Sequence, residues 1–120
     1  MGSESKLYKD LKKETCSIIW NRIENLSIVG MPDVLGYNTN HKFFTVELKV
    51  IKGNKIKFSP HQIAFHKTHP QNTFILVRAL GPCTMKLVPG SVALGAWRFD
   101  SGFSIADSWT GVQESFEQIF

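Results

Sequence analysis

The chain is 120 residues long, with 42% hydrophobic and 20% charged residues, which is the length and balance of one packed domain rather than of a disordered segment. Its two cysteines, Cys16 and Cys83, lie far apart and form no CxxC pair, so a disulfide-based secreted scaffold and a four-cysteine zinc site are both excluded. No apolar run reaches the roughly 18 to 20 residues of a membrane helix, and the N-terminal residues do not form a signal peptide, so we expect a cytoplasmic protein.

Positive charge is concentrated in the first part of the chain. Fourteen Lys and Arg residues against ten Asp and Glu residues give a formal net charge of +4, which favours a polyanionic partner. Two basic clusters stand out, and they contain Lys6, Lys9, Lys12, Lys13, Lys52, Lys55 and Lys57. From Asp100 onward there are four acids and no Lys or Arg. We therefore expect a phosphate-binding face to be built from the first 70 residues.

The N-terminal segment predicts an amphipathic, basic helix that runs to about Glu14. Ser3 or Ser5 can cap the start of this helix. Leu7 and Leu11 lie four residues apart, so they share the face of the helix that turns toward the core.

The next segments read as strands. Residues 17–23, rich in Ile and Trp, predict the first strand, and Gly30 marks a turn after it. Residues 33–37 and 43–50 are two apolar runs around a polar loop, which is the pattern of an antiparallel hairpin.

A second helix and two more strands are predicted in the middle of the chain. Ser59-Pro60 is a strong helix start, because Ser accepts a hydrogen bond from a free N–H and Pro tolerates the first helical position. The helix should end near Thr68. Residues 73–80 form a continuous apolar run, typical of a strand covered on both faces, and residues 84–88 predict a short strand.

The C-terminal part ends in a helix capped near Asp107 or Ser108. The elements then follow the order helix, three strands, helix, strand (αβββαβ), with a C-terminal extension. This order predicts an α/β fold in which helices flank a small mixed β-sheet. We expect a single domain over residues 1–120, with its core in about 3–80 and the extension in about 81–120.

One group of residues carries the chemistry. Glu47 and Lys49 are two apart on a predicted strand, so their side chains share one face while Leu48 points to the other. Asp33 lies at the start of the neighbouring strand and can bring its carboxylate beside Glu47. Two carboxylates with waters and a phosphate are a ligand set that Mg²⁺ accepts. The ammonium of Lys49 can then stabilise charge on a phosphoryl group.

The sequence resembles the PD-(D/E)XK nuclease superfamily, whose signature stands here as Pro32-Asp33 followed by Glu47-Leu48-Lys49. The order of elements is similar as well. Within the superfamily it looks closest to the VRR-NUC group and the archaeal-type Holliday junction resolvases, because KGNKIKFSPHQIAFH resembles their lysine-rich turn, Ser-Pro and helical Gln. The resemblance implies a restriction-endonuclease-like core.

The resemblance also implies roles for individual residues. Metal ligands would be Asp33, Glu47, the backbone carbonyl of Leu48 and Glu4, with Mg²⁺ as the cofactor and Mn²⁺ as a substitute. Lys49 and Gln62 would position water and phosphate. Glu4 takes the place of the family's first-helix Glu, one helix length before a strand that carries Arg22. Glu14 and Glu24 are its rivals for that place.

Each of these residues also has a purely structural interpretation. Asp33 and Glu47 could be surface acids, although Glu is unusual in so apolar a strand. Lys49 could simply pair with Glu47. Gln62 forms a capping box with Ser59, and this role does not exclude one in the site. An acid at position 4 is favourable in a first helical turn in any case.

The resulting hypothesis is a Mg²⁺-dependent endonuclease for branched DNA, with a role in recombination or repair. Arg22 and the two lysine clusters would contact phosphates, and DNA shape would give specificity. The alternatives are a non-catalytic nucleic-acid-binding module of the same fold and a restriction-type endonuclease. We also expect a homodimer, with an interface at residues 28–29 or among the aromatic residues of the C-terminal segment: Trp97, Phe99, Phe103 and Trp109.

Overall fold

The computed structural model describes residues 2–23, 30–81 and 84–120. The helices and strands are α1 (Gly2–Glu14), β1 (Ile19–Arg22), β2 (Val34–Tyr37), β3 (Phe43–Ile51), α2 (Pro60–Thr68), β4 (Thr73–Ala79), β5 (Thr84–Pro89), α3 (Gly90–Ala93) and α4 (Trp109–Glu117). The predicted order of elements is confirmed. Two details of the prediction are wrong: α1 already begins at Gly2, so Ser3 and Ser5 lie inside it, and β1 is shorter than residues 17–23.

The described strands form one five-stranded sheet in the order β1-β2-β3-β4-β5. Strands β1, β2 and β3 are antiparallel neighbours, and β4 is antiparallel to β5. Strand β3 pairs with β4 in parallel, with Thr45 opposite Thr73 and Ile51 opposite Ala79. A parallel pair needs a crossover connection, and α2 provides it. The predicted mixed sheet is therefore confirmed, and β3 lies at its centre.

Side chains alternate between the two faces along each strand, so both faces of the sheet carry apolar side chains. Helices cover both faces. On the first face, α1 and α4 pack against an apolar cluster that includes Leu7, Leu11, Phe44, Leu48 and Phe116, all at most 2% exposed. Burial of such side chains is the main stabilising term, at roughly 1.5–3 kcal/mol for each large one. The apolar cluster on the first face is the larger of the two clusters described.

The second face is covered by α2, α3 and the segment around residues 97–99. Its core includes Ile75, Val77, Trp97 and Phe99. Trp97 and Phe99 are each 7% exposed, so the protomer itself buries two of the aromatic residues proposed for a dimer interface. Phe103 is 62% exposed and stays available for that role. The other candidate, residues 28–29, lies outside the described residues.

The C-terminal helix is tied to the loop between β2 and β3. Asn38, 2% exposed, donates from Nδ2 to the carbonyl oxygens of Phe116 and Ile119, at 2.8 Å each. A carboxylate oxygen of Glu117 accepts from the N–H of Thr39 at 3.0 Å and from its hydroxyl at 2.6 Å. Residues far apart in sequence therefore fix the end of β2 and the start of β3, and with them the strand that carries the candidate site.

The extension predicted after residue 80 is part of the packed structure. Strand β5 adds to the sheet, Ser108 caps α4 as predicted, and Val112 is fully buried. Within the described ranges, none of the helices is long and apolar enough to cross a bilayer.

Candidate active site

The two predicted acids come together across β2 and β3. Val34 pairs with Val46 in the antiparallel register, which sets Asp33 opposite Glu47. The Asp33 carboxylate accepts a hydrogen bond of 2.7 Å from the backbone N–H of Leu48. Glu47 is only 3% exposed, and Gln62 of α2 contacts it on the second face. The spacing of the motif thus brings together two carboxylates, of which Glu47 is buried and Asp33 is partly exposed.

This environment changes the acidity of Glu47. Burial is the largest influence, and with the negative charge of Asp33 it raises the pKa of Glu47 from its usual 4.5 to about 8. The ammonium of Lys49 acts in the opposite direction, and a hydrogen bond shared with Asp33 favours the protonated form further. Without a cation between them, the state in which both carboxylates are ionised is unfavourable.

Gln62 connects the acid to the lysine. Its Nε2 donates to Glu47 Oε2 at 3.1 Å, and its Oε1 accepts from Lys49 Nζ at 3.0 Å. Lys49 Nζ also donates to the backbone oxygen of Lys57 at 2.9 Å. The three predicted side chains therefore form one hydrogen-bonded row on the second face of the sheet.

The same glutamine caps α2. Ser59 Oγ accepts from the Gln62 N–H, and Gln62 Oε1 accepts from the Ser59 N–H, each at 3.1 Å. This is a complete capping box. Gln62 therefore has both of the roles that the sequence left open. Its Oε1 accepts from Ser59 at the start of α2, and its Nε2 donates to Glu47.

Phe58 is a member of the site that sequence reasoning missed. The Lys49 ammonium lies 5.3 Å from the centre of the Phe58 ring, within the range of a cation–π contact. The ring also packs against the core of the second face. Nothing in the local sequence marks this residue, because its role arises only when the segment after β3 folds back over Lys49.

The site is suited to a hard cation, judged by its own atoms. When both carboxylates are ionised, Glu47 Oε1 is buried with no hydrogen-bond donor among the described residues. Such a group is costly unless something binds it, and Mg²⁺ favours oxygen ligands of this kind. Among the residues that the structure describes, no group of three or more His, Cys, Asp or Glu side chains is placed to hold a metal. Any ion would therefore take part of its shell from backbone, water or substrate.

Glu4 lies near this pair without joining it as a third close ligand. Its negative charge is the smallest of the influences that raise the pKa of Glu47. Its rival Glu14 is at the other end of α1, on the exposed side. Glu24, the remaining rival, lies outside the described residues.

The predicted DNA-binding residues occupy two regions. Lys6, Lys9, Lys12 and Lys13 lie on the exposed side of α1, and Lys52, Lys55 and Lys57 are exposed in the segment between β3 and α2. In the first region, Lys12 and Arg22 both lie against the Tyr8 ring, 5.1 and 5.3 Å from its centre. The second region directly follows the strand of Glu47 and Lys49.

His66 is a buried polar residue of α2 itself. It is 1% exposed, and neither ring nitrogen has a hydrogen-bond partner in the described part of the chain. Burial, the charge of Lys49 and then His69 lower its pKa, so it is held neutral. Its Nδ1 packs on Gly90, at the start of α3, where a side chain would overlap it.

Comparison with known proteins bears on the fold. No protein-family model matches the sequence, and no curated protein matches it. Among solved structures, the chain is similar to Hjc, a Holliday junction resolvase from the archaeal hyperthermophile Archaeoglobus fulgidus. The two share 14% sequence identity and a TM-score of 0.57, with 75% of each chain covered. The chain therefore has the mixed α/β, restriction-endonuclease-like fold predicted from its sequence.

Proposed function

We propose that this protein is a metal-dependent DNA endonuclease that hydrolyses phosphodiester bonds in branched DNA. The observation that carries the proposal is the close pair of Asp33 and buried Glu47, with Glu47 hydrogen-bonded through Gln62 to the ammonium of Lys49. A row of acid, amide and ammonium that runs from a buried to a partly exposed position in a basic protein is suited to cutting a phosphate backbone.

In this proposal Asp33 and Glu47 would hold Mg²⁺, or Mn²⁺ in its place, with the Leu48 carbonyl as a further ligand and Glu4 joining through a bound water. When bound, the metal supplies Lewis-acid stabilisation of the phosphoryl oxygens. The protein's own residues release the proton and position the water and the phosphate. Glu47 must give up its proton before the pair can bind a cation, because the raised pKa keeps it protonated at neutral pH.

Lys49 holds the attacked phosphate or the attacking water. Its ammonium is held at two points, the amide of Gln62 and the Lys57 carbonyl, and lies beside the Phe58 ring. A positive charge fixed before the substrate arrives needs little reorganisation when charge develops on the phosphate. Gln62 acts as a positioning residue, since it orients both the acid and the lysine.

The preference for branched DNA rests on the fold shared with Hjc and on the resemblance of the motif. A recombination or repair role in a single nuclease domain follows from the same analogy. We further propose a homodimer, because one active site cuts one strand and resolution of a four-way junction needs two sites related by symmetry. The exposed lysines of α1 and of the segment between β3 and α2 would bind phosphates on either side of the cut.

The alternative is a non-catalytic DNA-binding module of the same fold. The carboxylate pair disfavours it, because two acids beside a phosphate backbone cost binding free energy unless a cation lies between them. A restriction-type endonuclease would use the same site and differ only in reading a defined sequence.

The test is cleavage of linear, flap, splayed and four-way DNA with Mg²⁺, Ca²⁺ or EDTA. Wild-type protein should cut the branched substrates with Mg²⁺ and none with Ca²⁺ or EDTA, because the larger Ca²⁺ takes more ligands at longer distances. Asp33→Asn and Glu47→Gln should abolish cleavage and retain DNA binding. Glu114→Gln, an exposed acid on α4, is the matched control and should cut normally. Wild-type cleavage by either site variant would contradict the assignment.

A further inference from the structure

A pocket of about 480 Å³ opens on the second face of the sheet, next to the candidate active site. Its walls include Ile56, Phe58, Ile63 and Trp97, contributed by the segment after β3, by α2 and by the segment after α3. Lys55 and Arg98 also line it. The volume lies within the range of small-ligand sites, and none of the described lining residues is acidic.

The chemistry of the pocket favours a flat ring that carries a negative group. Partly buried Phe58 supplies most of the aromatic surface, and Trp97 lines the pocket with the 7% of its surface that stays exposed. The Trp97 ring is fixed because its Nε1–H donates to the Phe103 carbonyl at 2.8 Å. Lys55 is exposed, and Arg98 is about half exposed with its Nε 3.3 Å from Asp100. Cations beside aromatic walls are the combination by which proteins bind single nucleotides of nucleic acid.

Phe58 joins this pocket to the candidate active site. One side chain lines the pocket and lies 5.3 Å from the Lys49 ammonium. The Lys57 carbonyl, next in the chain, accepts a hydrogen bond from the same ammonium. The pocket and the proposed phosphate-holding lysine therefore have Phe58 in common.

We infer that this pocket binds the base of one unpaired nucleotide of the DNA substrate, with its phosphate held by Lys55 and Arg98. The inference rests on the proposed function, because it takes DNA as the substrate. A base inside a duplex cannot reach such a pocket, since it would first have to leave the stack. The pocket thus selects DNA that has an unpaired nucleotide close to the cut, as at an imperfect branch point.

The first test needs no nuclease activity. Deoxyadenosine monophosphate is titrated into the metal-free protein, and the indole N–H resonance of Trp97 and the amide resonances of the pocket are followed by NMR. Saturable shifts are expected with this nucleotide and none with inorganic phosphate alone. Ala96→Phe, which fills the pocket from an exposed wall position, should remove the shifts. Thr110→Phe on α4, across the sheet, is the matched control and should keep them.

A second variant covers the case in which Ala96→Phe does not fold. Arg98→Gln changes an exposed side chain and should weaken binding of the nucleotide while leaving binding of deoxyadenosine, which has no phosphate, unchanged. Equal shifts with inorganic phosphate, or unchanged nucleotide binding in both pocket variants, would overturn the inference. The cleavage test of the proposed function would be unaffected by either result.

The second test uses DNA in EDTA, so that binding is measured without cleavage. Ala96→Phe should bind a junction with one unpaired adenosine at the branch roughly 5- to 150-fold more weakly than wild type, the effect expected for one stacked base. It should bind a fully paired duplex as wild type does. Equal weakening on both DNAs would show that the pocket does not take an unpaired base.

Discussion

Replacing Glu47 by Gln should stabilise the metal-free protein at alkaline pH. The unfolded chain binds the Glu47 proton with the usual pKa of 4.5, whereas the folded protein holds it up to about pH 8. Between these values the folded state binds more protons, so stability is greatest below pH 4.5 and falls as the pH rises to 8. Glu47→Gln removes this pH-dependent destabilisation because its amide never ionises.

The magnitude follows from the size of the pKa change. One pH unit corresponds to about 1.4 kcal/mol, so a rise from 4.5 to about 8 costs the ionised protein about 5 kcal/mol at most. That is a large share of the roughly 5–15 kcal/mol that holds most domains folded. Since Glu47 is 3% exposed, solvent screening reduces the effect little.

The assay is urea unfolding of both proteins in EDTA from pH 5 to 9. His66 acts with the opposite sign, because its lowered pKa makes stability rise with pH up to its unfolded value of about 6.5, but this contribution cancels in the difference between the two proteins. As the pH rises, the free energy of unfolding of Glu47→Gln should exceed that of the wild type by a further several kcal/mol. When Mg²⁺ replaces EDTA, this difference should shrink because Mg²⁺ binds the ionised pair. A constant difference across this range would refute the reasoning.

Three other predictions concern neighbouring parts of the structure. Gln62→Glu keeps the capping box but replaces the amide that donates to Glu47 by another acid, so it should lose cleavage alone. Gln62→Ala should lose cleavage and also about 1 kcal/mol of stability, measured by thermal unfolding. Gly90→Ala should destabilise by about 1–3 kcal/mol because its Cβ overlaps a buried imidazole, whereas Gly53→Ala, with nothing within 4 Å, should be neutral or stabilising. Replacing Lys52 and Lys55 by Gln should lower the salt slope of DNA binding by about 0.9 for each of the two lysines that binds a phosphate, and an unchanged slope would place this segment away from DNA.

The parts of the site that sequence can predict are those fixed by short spacing. Alternation along a strand sets Glu47 and Lys49 on one face, and Ser-Pro before a helix locates Gln62. The burial of Glu47 cannot be predicted in this way, because it depends on α2 folding back over β3. The pocket cannot be predicted from the sequence either, since Phe58 and Trp97 come together only after the C-terminal segment packs on the sheet. Sequence patterns alone identify such aromatic residues as core or interface material.

The double contact made by Gln62 links the proposed catalysis to the order of a single helical turn. The side chain that closes the start of α2 also holds the acid and the lysine in place. Helix ends open locally at a small fraction of the free energy of global unfolding. Warming should therefore separate the acid from the ammonium while the sheet and both cores stay intact. The upper temperature limit of activity would then be set by reversible fraying at Ser59, well below the cooperative melting of the protein.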